Sequence, residues 1–202
     1  MREWSRCGCV VVALGMLGAG CVSSSDAQRK AAEQKRTWLL EAEMPAAKGP
    51  ARWSDGIKVR AFRSQPPFHA PNIVVKRANG ETVLDFYNAW VAPPHDLVRV
   101  QAVRYFEASG LFPAVYDSTS GTLPPLGLEG TVCELFLDCR GERPEAVVTL
   151  RLVVLDERTP QFTVLCSAEA TGRAAYDAEA PDGIARAFNA ALTHALAEVV
   201  FR

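Results

Sequence analysis

Few residues in this chain could do chemistry, and they are scattered. Each of the 3 histidines, His69, His95 and His194, stands apart from any cysteine or second histidine at metal-ligand spacing, so each reads as a surface or capping residue. His194 falls near the C-terminal end of the last predicted helix, where an imidazolium suits the helix dipole. Asp177, Glu179 and Asp182 gather just before that helix, a placement that favours its N-terminus. No apolar pocket is evident beside them to separate their pKa values for acid-base work. No P-loop, Gly-rich dinucleotide turn, nucleophile elbow or zinc-protease helix motif occurs. The expectation is therefore no enzyme, no cofactor and no metal. A hydrolase assembled from distant residues is the weakest reading, because acyl or phosphoryl chemistry needs a base beside a nucleophile.

The chain has 6 cysteines, too few for a disulfide scaffold of this length. Cys133 and Cys139 share one predicted strand, about 20 Å apart if extended, so they cannot pair while it is intact. Aligning the apolar faces of the neighbouring strands puts Cys133 and Cys166 on the same side but two strands apart, about 9.6 Å, beyond the roughly 7 Å a disulfide spans. Both are expected as core thiols, with Cys139 beside a turn and free to be exposed. Cys21 reads differently. Arg2 and Arg6 precede the apolar run Val10 to Leu17, followed by the small residues Gly18, Ala19 and Gly20 and then Cys21, the order of an export signal. The run is shorter than the ~20 residues that span a bilayer. Leu17-Gly18-Ala19-Gly20-Cys21 resembles a bacterial lipobox, whose thiol receives diacylglycerol before the signal is cut, although Gly18 stands where leucine is usual. Ordinary secretion, with cleavage after Gly20, is the alternative.

At 202 residues the chain has the length of one domain. Lys+Arg of 22 against Asp+Glu of 23, with a pI near 6.3, excludes the cationic surface that nucleic-acid binding needs. A hydrophobic content of 49% excludes a disordered chain. Loss of residues 1–20 would remove Arg2, Glu3 and Arg6, leaving a body too close to neutral to adhere to anionic lipid by charge. Acyl chains would have to hold it, at ~0.8 kcal/mol per buried methylene. The expected organisation is a signal peptide over 1–20, a polar tether over 21–36 and one domain over 37–202.

Trp38-Leu39-Leu40 and Ile57 to Phe62 read as short strands on either side of a Pro- and Gly-containing loop, Met44 to Gly56. Asn72 to Lys76 and Thr82 to Tyr87 flank Asn79-Gly80, two residues that tolerate positive φ, which predicts a hairpin. After Pro93-Pro94-His95, Asp96 is expected to cap a helix that runs to Ser109 and stops at Gly110, burying Val98, Ala102, Tyr105 and Phe106. A short strand, Pro113 to Tyr116, follows in the strand, helix, strand order of a parallel crossover. Gly127 to Asp138, Glu145 to Asp156 and Gln161 to Thr171 read as an antiparallel meander. Asp182 to Phe201 reads as a helix with the core stripe Ile184, Phe188, Ala191, Leu192, Ala195, Leu196 and Val199. The expected fold class is α/β: a single domain with a mixed β-sheet, a C-terminal antiparallel meander and two main helices packed on it.

Four pieces in this order carry a resemblance: Trp38-Leu39-Leu40; Pro71-Asn72-Ile73-Val74-Val75-Lys76; Asp85-Phe86-Tyr87-Asn88-Ala89-Trp90-Val91-Ala92-Pro93-Pro94; and Phe188-Asn189-Ala190-Ala191-Leu192. The layout from Cys21 to Arg202 resembles the ABC-type transport auxiliary lipoprotein family, the PqiC type that accompanies MCE-domain lipid transporters in Gram-negative envelopes. Where that family usually has Leu-x-Arg-Pro, this chain reads Phe68-His69-Ala70-Pro71, without the arginine. The resemblance implies a non-enzymatic periplasmic domain anchored through Cys21. Its implied partners are an MCE-domain protein and ABC permease and ATPase subunits, with ATP hydrolysis in another subunit and a homo-oligomer left open. Trp90 and Pro71 would be partner contacts; the competing reading of Trp90 is a plug between helix and sheet. Val22 follows the cysteine where aspartate often signals inner-membrane retention, so the outer membrane is expected. From another class, the chain could be a structural or assembly lipoprotein of the envelope with no transported lipid.

Overall fold

The computed structural model describes residues 35–46 and 50–201; the expected signal peptide, Cys21 and the tether through residue 34 lie outside them. The strands are β1 (Arg36–Trp38), β2 (Ile57–Val59), β3 (Arg63–Ser64), β4 (Asn72–Arg77), β5 (Thr82–Trp90), β6 (Val115–Tyr116), β7 (Leu126–Cys139), β8 (Glu145–Asp156) and β9 (Thr163–Ala175). The helices are α1 (Pro94–Ser109) and α2 (Gly183–Phe201).

β7 is the spine of one mixed sheet. Leu126, Leu128, Val132, Leu135, Phe136 and Leu137 are all buried, and the consecutive three of them show that both faces of the strand are covered there. On one edge it takes β8 antiparallel, and on the other it takes β2, β3 and β4 in succession, all parallel. β6 lies beyond β2, β5 and then β1 lie beyond β4, and β9 lies beyond β8. The expected α/β class with its meander is the class observed. The expected crossover is not. β5 and β6 run in opposite directions, because β5 is antiparallel to β4 while β4, β7, β2 and β6 are parallel in turn.

Local chemistry accounts for the helix ends. α1 begins at Pro94, ahead of the expected cap Asp96, because a proline at the first position needs no hydrogen-bond partner and its φ is already helical. Asp96 sits in the first turn instead. Gly110 ends the helix with φ 70°. On α2, Ile184, Phe188, Ala191, Leu192, Ala195 and Leu196 are buried and Val199 is partly so. The helix sits close on β9 because Gly172 has no side chain: a Cβ there would stand 1.8 Å from the carbonyl oxygen of Ala191.

The cysteines correct the expected register. Cys133 is buried but Cys166 is exposed, and Cys133, Cys139 and Cys166 are all free. A bulge between Val132 and Glu134 turns Cys133 toward Glu169, with Sγ 4.0 Å from Oε2. Cys166 pairs with Val154 and lines a groove beside Phe106 and Phe112.

Candidate functional site

The ladder between β4 and β5 breaks where the step from Asn72 to Val74 is matched by the step from Leu84 to Ala89. The surplus chain is held by one carboxylate. Asp85 Oδ1 accepts the backbone N–H groups of Tyr87 (2.8 Å) and Asn88 (3.0 Å), and Oδ2 accepts Asn88 Nδ2 (2.9 Å). Asn88 Oδ1 in turn accepts the indole N–H of Trp38 at 3.0 Å. Such side-chain bonds to nearby amides fix a turn inside a strand. The turn projects Phe86 and Tyr87, which are 68% and 43% exposed and meet edge to face at 5.2 Å. Lys35 Nζ lies 4.4 Å from the Phe86 ring centroid. Leu39, Leu84 and Val91 are exposed as well, on β5 or just beyond β1 and β5.

Past β1 the chain becomes a strap between the two helices. Leu40 and Ala42 point inward, while the amides of Glu41, Ala42 and Glu43 donate to Asn189 Oδ1 (2.9 Å), Gln101 Oε1 (3.1 Å) and Thr193 Oγ1 (2.8 Å). The polar residues inserted among the apolar positions of α1 and α2 therefore satisfy backbone groups that would otherwise lack partners.

Trp90 and Pro71 are brought together. The Trp90 amide donates to the Pro71 carbonyl at 2.7 Å, but the indole turns inward and is 3% exposed, against Phe188, while Pro71 stays at the surface. Cys21 lies outside the described residues. Sequence reasoning missed the Asp85 turn, although Asp-x-x-Asn was there to be read as a capping signal.

Two of the histidines have partners. His95 Nδ1 is 3.4 Å from Ser64 Oγ and its Nε2 is 3.8 Å from Asp96 Oδ2, so it is less isolated than its place in the sequence implies. A nucleophilic serine would also need oxyanion donors, and the amide after Ser64, that of Gln65, is spent on the Val132 carbonyl at 3.0 Å. His194 Nδ1 lies 3.0 Å from the Arg173 carbonyl. The acids before α2 serve local structure: Asp182 pairs with Arg186 at 3.1 Å, and Asp177 accepts the Glu179 amide. Among the described residues no group of three or more His, Cys, Asp or Glu is placed to hold a metal ion. No described helix is long and apolar enough to cross a membrane.

A groove of about 650 Å³ opens between the end of α1, the strands β7 to β9 and the end of α2. Phe106, Phe112, Leu128, Leu152 and Val154 form its apolar lining, with Arg52 among its polar residues. On the sheet's open face the strands are laced by ion pairs, among them Arg151 with Glu169 at 2.6 Å and Arg173 with Glu145 at 3.3 Å. Exposed pairs of this kind contribute little stability, about 0–1 kcal/mol each.

No protein-family model matches the sequence, and no curated protein matches it. Solved structures do. Protein XCC0632 from Xanthomonas campestris, of the family DUF330, is similar at 22% identity with a TM-score of 0.66, covering 83% of this chain and 92% of that one. An uncharacterised protein is similar at 11% identity with a TM-score of 0.57, covering 80% and 96%. These likenesses establish the fold.

Proposed function

We propose that this chain is a lipoprotein of the bacterial envelope, anchored through Cys21 and facing the periplasm from the outer membrane. It acts as a non-enzymatic accessory subunit of an ABC/MCE-type transporter that moves lipid between the two membranes, with an MCE-domain protein and the permease and ATPase subunits as its partners. The observation that carries this reading is the continuity from anchor to body. The lipobox-like Leu17 to Cys21 and a polar tether lead directly into β1 and the strap, whose amides are bonded to side chains of both helices. A chain built this way can be hung from its N-terminus. The DUF330 fold supports the resemblance to transport lipoproteins, and the exposed aromatic turn and the apolar groove offer surfaces for binding rather than for reaction.

Cell fractionation of parent and Cys21→Ala tests this. The parent should sediment with the outer membrane, and the variant should be a folded, soluble periplasmic protein that no longer supports the envelope barrier, since anchoring raises the local concentration at the membrane. If both sediment, or if both are soluble, the anchor is refuted. A soluble but fully functional variant refutes the anchored mechanism. A neighbouring permease, ATPase and MCE-domain gene would favour transport over an assembly role.

A further inference from the structure

We propose that the Phe86–Tyr87 turn is a lipid-contact surface, the part of the body that rests on the bilayer holding its anchor; this rests on the anchored reading above. The surface is built rather than incidental. The Asp85 carboxylate accepts three hydrogen bonds, all from Tyr87 and Asn88, and these keep the two rings outside the ladder. Phe86 is left 68% exposed, an unfavourable position in water for a large apolar ring unless something else covers it.

The position of the turn selects the occupant. Arg36 pairs with Asn88, and Lys35 lies over the Phe86 ring, so the chain joins the body beside the turn. Residues 22–34 separate Cys21 from that junction, a reach of at most ~45 Å. The turn is thus close to the point where the anchor's pull is applied. The chemistry agrees. Tyrosine, like tryptophan, favours the zone between headgroups and acyl chains because its ring is apolar and its tip polar. Lys35 and Arg36, at the same junction, are cations of the kind that headgroup phosphates attract locally.

The test places the photoreactive residue p-benzoylphenylalanine at position 86, and separately at Phe162, an exposed aromatic by β9 at the opposite edge of the sheet. Each is made in the full chain, in cells, with irradiation followed by mass measurement. Position 86 should gain the mass of a phospholipid, and position 162 should not. A protein adduct at 86, no adduct there, or equal lipid labelling at both positions overturns the proposal. Asp85→Ala, which releases the turn, should lower the yield at 86 while circular dichroism stays that of the parent; an unchanged yield counts against the built surface. Cys21→Ala separates the two readings. Loss of both membrane association and the lipid adduct supports both. A variant still on the membrane with its adduct intact refutes the anchor and leaves the contact standing.

Discussion

Trp90 and Phe188 meet edge to face with ring centroids 4.9 Å apart, joining the last residue of β5 to the second turn of α2. The indole is 3% exposed and the phenyl fully buried. Trp90→Ala is expected to cost about 3–5 kcal/mol, the range for deleting a large buried aromatic side chain. Denaturant titration would show it as a lower midpoint, and Trp90→Phe should recover part of the loss. A midpoint unchanged in Trp90→Ala would mean that the ring does not tie helix to sheet.

At Gly172 the backbone of α2 leaves no room for a side chain on the sheet. Because the obstruction to a new Cβ is the Ala191 carbonyl rather than a flexible side-chain tip, Gly172→Ala must push the helix away. A loss of about 1–3 kcal/mol is expected, the usual cost of overpacking. Thermal unfolding measures it, and a melting point equal to the parent's would place the helix farther out.

Thiol labelling tests the register of β7 and β9. Cys166 is exposed on its strand and should react quickly with a maleimide under native conditions. Cys133 is 7% exposed, and its thiol pKa is raised by burial first and by the Glu169 carboxylate next, so it should stay protonated and slow. Peptide mapping after a short pulse should find label at 166 and not at 133. The reverse order would invert the faces described here.

The hydrogen bond from Arg140, followed by the Arg140 amide and charge, outweighs burial and holds Asp138 at a pKa of about 2. An unfolded aspartate titrates near about 3.9, so this group's contribution to stability is fully present above that pH and is lost as pH falls through about 2. Arg140→Ala should move the Asp138 carboxyl resonance to titrate near the ordinary value and should flatten the acid arm of the stability curve. An unshifted titration would show that the pair is open in solution.

What could be read from the sequence was decided by local chemistry. Asn79-Gly80 marks its hairpin because Gly80 takes φ 82°, Gly110 ends α1 at φ 70°, and β8 runs from Glu145 to Asp156 as its apolar run indicates. The features not foreseen depend on distant partners. The order of β2, β3 and β4 along β7 is set by pairings that no local pattern encodes, so strand, helix, strand order alone does not show that β5 and β6 run in opposite directions. Strict alternation puts Cys133 and Cys166 on one side, and the bulge between Val132 and Glu134, which no local pattern announces, separates them. The exposure of Phe86 follows from a carboxylate turn within what reads as a continuous strand, so alternation along the strand does not reveal the aromatic surface.

The strap also fixes an order of events. Residues 41 and 43 find their acceptors at Asn189 and Thr193, which follow them by 148 and 150 positions. Synthesis runs from N-terminus to C-terminus, so the segment made early must wait for nearly the last segment before it can seat. Until α2 emerges, Leu40 and Ala42 have no groove to enter, and the apolar faces of β8 and β9 stay uncovered. Closure of so long a loop is slow. A chain stalled or clipped before residue 189 therefore lacks the acceptors for the strap, and the body is latched only once the whole chain has been made.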